Sequence, residues 1–211
     1  VSGMATVARK RNLPGTSRAD LFKWPEEAKE FKNETQYAVQ EYIQARLRKD
    51  PSDMSIVEKP EDVHYTEWIY EHLRQFILEL NKLIVKLATV CTKTSCPKMT
   101  VGQTEFLSAC SGEPKMVSAM DYSCHNIDFF VTAINKSKSF PRPSHSGLSS
   151  KAMKELSDVA KRLYRVLAHA AVHHKTEFEE FEEKAYLYKR LFTINKTYKL
   201  TKFQPPIEDM E

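Results

Sequence analysis

The stretch from 65 to 90 carries two apolar stripes side by side, and only a place near the middle of a helical bundle buries both. Ile69, Leu73, Phe76, Leu80, Leu83 and Leu87 recur at helical spacing, and Tyr70, Ile77, Ile84 and Cys91 run beside them. One stripe serves a helix that is wet on its other side. Two adjacent stripes call for neighbours around much of the circumference. His72 lies in the same stretch and reads as a packed or surface residue rather than a ligand. Five glycines among 211 residues favour helices over sheets. The expected class is therefore mainly α.

A second long helix is written from Lys154 to His174. Leu156, Val159, Ala160, Leu163, Val166, Leu167 and Ala170 form its inner face. At about 100° per residue, Lys151, Lys154, Lys161, Arg162 and Arg165 share one arc on the opposite side. Asp158 sits within that arc, at helical spacing from Lys161 and Arg162. The pattern has two readings. It is a solvated face with routine ion pairs, or it is an anion site in which Lys161, Arg162 and Arg165 hold a phosphate. Ser149 or Ser150 caps the helix.

The remaining segments fit around these two. Residues 1–33 read as an extended, basic N-terminal arm with Phe22 and Trp24 able to dock on the body, and 34–211 read as a single domain. A helix starts near Thr35 with Ala38, Val39, Tyr42, Ile43 and Leu47 inward, and it ends before Pro51. Residues 51–64 read as a loop. Residues 105–118 suggest a small hairpin over Gly112, although Thr100 with Gln103 is a competing capping-box pattern. Asp121 to Lys136 reads as a helix with Ile127, Phe130, Val131 and Ile134 inward. A turn-rich loop over 139–147 contains His145, read as solvated. Beyond His174 one helix runs from Glu177 toward Leu200, with its glutamates near the N-terminal end, where the helix dipole favours them.

Charge and motif content exclude several classes. A net charge of +4 is mild for a nucleic-acid protein. No apolar run is long enough for a transmembrane helix, and no secretory leader is visible. Four cysteines do not make a disulfide framework in a chain of this size. A reducing, cytoplasmic setting is expected, with peripheral membrane attachment left open. No HExxH, glycine-rich phosphate loop, GxSxG elbow or kinase signature occurs.

Cys91 and Cys96 flank a short polar loop, and His169, His173 and His174 close the second long helix. Two thiolates and two imidazoles satisfy tetrahedral zinc and leave no open position for substrate. His169 and His173 are four apart and share a helical face, which spacing alone favours. His169 and His174 are five apart and need the helix to end or bend at the site. The cysteines and histidines are too far apart in sequence for a DNA-reading finger, so the reading is a staple between distant helices. Cys110 and Cys124 read as ordinary thiols.

The run Cys91-x4-Cys96, then Lys161-Arg162-Leu-Tyr-Arg165, then His169-x4-His174 resembles the Mob family of kinase adaptors. Arg11-Asn-Leu-Pro-Gly-Thr16, Trp24-Pro-Glu26 and Glu71-His-Leu-Arg-Gln-Phe76 are similar to its phocein, or striatin-associated, branch. The resemblance implies a Mob fold: a four-helix bundle core with extra helices, a small β-hairpin and a structural zinc. It places the ligands on Cys91, Cys96, His169 and His174, with a helix break near 171–173, and it implies no enzymatic activity. It places a phosphothreonine-binding trio on Lys161, Arg162 and Arg165. The implied partners are a striatin-type scaffold, a type 2A phosphatase and Ste20-like kinases, in Hippo-related signalling. Direct coactivation of a nuclear Dbf2-related kinase is the alternative, and a zinc enzyme a third option. The coactivators carry a lysine pair in the hairpin, where this chain has only Lys115.

Overall fold

The computed structural model describes residues 15, 17, 37–109, 112–136 and 149–202, with the side chains of 134–136 left aside. The expected arm therefore lies outside the described residues except for Gly15 and Ser17. The same holds for Cys110, for the 139–147 loop with His145, and for the inward placement of Ile134.

In chain order the elements are α1 (Ala38–Lys49), a 3-10 turn (Met54–Val57), α2 (Tyr65–Leu87), β1 (Thr100–Val101) and β2 (Thr104–Glu105). They continue as α3 (Ala119–Lys136), α4 (Ser150–His173), α5 (Lys175–Ala185) and α6 (Leu187–Tyr198). α2 and α4 pack against each other, and α3, α5 and α6 each touch both of them, while α1 lies on α2. Both stripes of α2 are buried, from Ile69 to Leu87. This is the mainly helical bundle with a small β-hairpin that the sequence implied.

Local chemistry sets the ends. Ser149 Oγ accepts the Ala152 N–H at 3.2 Å and starts α4. His64 caps α2 by accepting the Thr66 N–H. The 51–64 loop holds a short 3-10 turn, which the indole of Trp68 pins by donating to the Val57 carbonyl at 3.1 Å.

Three expectations need correction. The paired strands lie upstream of 105–118. Thr100 pairs with Glu105 and Val101 with Thr104, around Gly102 at φ 56°, while the expected turn over Gly112 is closed by an antiparallel bridge in which Ser108 and Lys115 exchange N–H···O bonds at 2.9 and 3.0 Å. Of the upstream pair, β1 is anchored by the buried Val101 beside Met99, while both residues of β2 are exposed. The Thr100–Gln103 capping box is thereby excluded. Next, Val131 points outward at 45% exposure, since Phe130 takes the core position beside it. Last, the single C-terminal helix is two helices. Tyr186 adopts a left-handed backbone (φ 48°, ψ 32°) between α5 and α6. Glu182 offsets the break: its carboxylate accepts the Tyr188 and Lys189 N–H groups, each at 3.0 Å, so the start of α6 is satisfied. Partial burial holds the Glu182 carboxyl above its ordinary range.

Candidate metal centre and basic face

Cys91 lies one turn beyond the end of α2, its N–H bonded to the Leu87 carbonyl at 2.7 Å. The chain then folds back on itself. Cys96 N–H reaches Thr92 O at 2.8 Å, and Ser95 Oγ accepts from Thr92 N–H and donates to Val90 O at 2.6 Å. Those bonds hold the two thiols on one side of a tight knuckle. The other half comes from α4. His169 sits on its buried face. His174 is the residue that ends the helix, at φ −140° and ψ 54°, with its N–H still bonded to Ala170 O at 2.8 Å. Leaving the helical backbone there turns the His174 ring back toward His169. The break falls one residue beyond the expected 171–173.

Ligand atoms of Cys91, Cys96, His169 and His174 all lie within 4.8 Å of one another, and all four residues are buried. Cys91 Sγ is 3.5 Å from His169 Nε2, and Cys96 Sγ is 3.4 Å from His174 Nε2. Bond lengths of about 2.3 Å to sulfur and 2.0 Å to nitrogen put the S···N edge of a tetrahedron at roughly 3.5 Å. The arrangement can hold a metal ion. His173, favoured by spacing alone, is exposed and reaches Thr100 Oγ1 at 3.1 Å instead.

The electrostatics agree with a cation at this point. Burial, then the adjoining Cys96, pushes the Cys91 thiol up to about 12. Two neighbouring thiolates in such a place need a positive charge between them. Burial also lowers His169 to about 4 and lowers His174, so both rings are neutral and offer lone pairs. His169 Nδ1–H donates to the Thr100 carbonyl at 2.7 Å, which fixes Nε2 as the free nitrogen facing the sulfurs.

The basic residues lie on the face of α4 away from its core stripe. Lys161 pairs with Asp158 at 3.3 Å. The Arg162 guanidinium lies 4.4 Å from the centre of the Phe129 ring, and that of Arg165 lies 4.7 Å from Phe106. Arg165 Nη1 also donates to the Tyr122 hydroxyl at 3.2 Å. Both planar groups are thus held by aromatic faces from α3 and from the segment after β2.

Comparison with known proteins places this arrangement. The profile of the Mob1/phocein family matches residues 44–205, most of the chain. The chain belongs to the Mob1/phocein family. It is similar to MOB kinase activator-like 4 of Drosophila melanogaster, at 38% identity over 93% of this chain and 87% of that protein. It is likewise similar to the MOB-like protein phocein of Caenorhabditis elegans, at 38% over 90% of this chain and 85% of the relative. Maintenance of ploidy protein mob1 of Schizosaccharomyces pombe is 26% identical over 72% of the chain.

Sequence reasoning missed several residues of this Mob1/phocein chain. Thr100, whose carbonyl orients His169, acts through its backbone and leaves no side-chain signal. Phe106, Tyr122 and Phe129 meet the arginines only through tertiary packing. Glu79 and Arg190 form a buried ion pair between α2 and α6, with Arg190 wholly buried. That pair had a signal: each sits at a helical step from apolar residues, Glu79 between Phe76 and Leu83 and Arg190 between Leu187 and Ile194. No described helix is long and apolar enough to cross a membrane.

Proposed function

We propose that this chain is a non-catalytic, zinc-stapled adaptor that joins kinases to a larger signalling assembly and binds threonine-phosphorylated segments through Lys161, Arg162 and Arg165. The carrying observation is the pair of guanidiniums held over the Phe129 and Phe106 rings, 4.4 and 4.7 Å from their centres, beside Lys161. Held guanidiniums lose less entropy on meeting a phosphate, and their forks suit its oxygens. Buried sulfur and nitrogen donors in a set of four favour zinc over harder cations, and four protein ligands leave no room for a substrate or an activated water. The metal's part is to join the ends of α2 and α4.

The relatives' names, kinase activator and phocein, support kinase-linked partners. Resemblance to the phocein branch supports a striatin-type scaffold with a type 2A phosphatase and Ste20-like kinases. It also supports residues 1–33 as an arm on a single domain spanning 34–211. Direct coactivation of a nuclear Dbf2-related kinase is the alternative.

The test is simultaneous charge reversal, Lys161→Glu, Arg162→Glu and Arg165→Glu. The expected result is loss of phosphothreonine-peptide binding by fluorescence anisotropy, with a melting temperature within a few degrees of the parent. A pulldown with and without phosphatase treatment then separates scaffold partners from phosphate-dependent ones. Undiminished peptide binding in the triple variant would reduce the trio to a solvated face.

A further inference from the structure

A cavity of about 110 Å3 lies between α2, α3 and α4, next to Arg162. Leu73 and Ile77 of α2, Phe129 and Ala133 of α3 and Val159 of α4 line it. Apolar cavities of roughly 150 Å3 stay dry and admit benzene, so this one suits a single branched or aromatic side chain. It is reachable from outside, because Phe129 is 42% exposed. Phe129 is also the ring beneath the Arg162 guanidinium. One residue is thus shared by the cavity and the phosphate-binding face, and the two surfaces are continuous.

Charge says what kind of chain fits. The phosphate end is cationic, whereas at the cavity the Glu155 and Asp158 carboxylates stand beside Arg162, Asp158 being also the partner of Lys161 at 3.3 Å. An anion followed by an apolar residue matches this order, and a second anion at the cavity does not.

We infer that this cavity is the specificity pocket of the phosphate site and takes one apolar side chain of a phosphothreonine peptide, two to four residues from the phosphothreonine. The inference rests on the phosphopeptide reading above. The spacing follows from helix and strand rise. At about 1.5 Å per residue, Val159 and Leu156 lie roughly 9 and 13 Å along α4 from Arg165. An extended peptide advances about 3.3 Å per residue. The apolar side chain gives the affinity that a phosphate alone shares with every other phosphopeptide, and selects among them.

The experiment uses fluorescein-labelled peptides with one central phosphothreonine in a serine–glycine background. Leucine, alanine or aspartate is placed singly at each of the four positions on either side. The full chain is titrated into each, alongside the Ala133→Phe variant, which fills the cavity from α3. Leucine at one position two to four residues away should bind about tenfold more tightly than alanine, with aspartate weaker still. Ala133→Phe should erase that preference yet keep the affinity for the alanine peptide, which also shows that the variant is folded. If phosphopeptides bind with no flanking preference, the pocket inference falls while the phosphate reading stands. If no phosphopeptide binds at all, both fall.

Discussion

Replacing Cys91 by serine should unfold more than a site. The two ends of the clasp are separated by 78 residues along the chain, from Cys91 to His169 and from Cys96 to His174. Closing a loop of that length by a cross-link is worth roughly 4–5 kcal/mol in the chain-entropy account. A domain of this kind has only about 5–15 kcal/mol in all. At about 2–4 °C per kcal/mol, the melting temperature should fall by roughly 8–20 °C. Chelation of the parent protein should produce a drop of the same order, because metal affinity here is part of folding free energy. Metal content by elemental analysis and melting by calorimetry are measured on Cys91→Ser, His174→Ala and His173→Ala. The first two should lose metal and stability together. The third should keep both, since His173 bonds Thr100 rather than facing the thiols. A Cys91→Ser protein without metal that melts like its parent would refute the reasoning, because the clasp would then join nothing that was not already joined.

The core offers further tests. Arg190→Met alone leaves the Glu79 carboxylate buried without its cation, which costs about 3–5 kcal/mol, while adding Glu79→Leu should recover most of that loss in chemical denaturation. His72 is wholly buried between Trp68 and Phe76, and burial, then the nearby Arg190 charge, lowers its pKa to about 3. The unfolded chain takes up a proton near pH 6.5 and the native state does not, so stability falls as pH drops through that window. Relative to His72→Phe, the parent should lose about 1.4 kcal/mol per pH unit between 6.5 and 4. Parallel stability curves for the two proteins would exclude that role for His72.

Periodicity could locate the long helices because α2 and α4 repeat their apolar residues over many turns. It could not find the break at Tyr186, since Leu187, Tyr188, Leu191 and Ile194 continue an apolar stripe across a residue that is left-handed for tertiary reasons. Gly112 is the stronger turn signal, and the chain does fold back there through the Ser108–Lys115 bridge, but the two-residue strands pair around Gly102, where the buried Val101 anchors β1. At the metal centre, residue types identified the cysteines, but helical spacing favoured the wrong histidine. Sequence spacing assumes that a helix continues, and here the histidine that faces the thiols is the residue at which it stops.

That stopping point ties the two surfaces together physically. The Thr100 carbonyl that holds His169 belongs to β1, and β1 turns through β2 into Phe106. The Met99 carbonyl accepts the Phe106 N–H at 2.9 Å, and the Phe106 ring carries the Arg165 guanidinium. A short path of bonded neighbours therefore runs from the His169 imidazole of the candidate metal centre to Arg165 of the basic face. Nothing in α4 alone would fix that arginine, whose long side chain is free on an isolated helix. The Phe106 ring and the Tyr122 hydroxyl of α3 hold it, and the His169 imidazole bonds the strand that leads to Phe106. The buried clasp and the half-buried cations are thus parts of one construction, in which the inner part sets the geometry that the outer part presents.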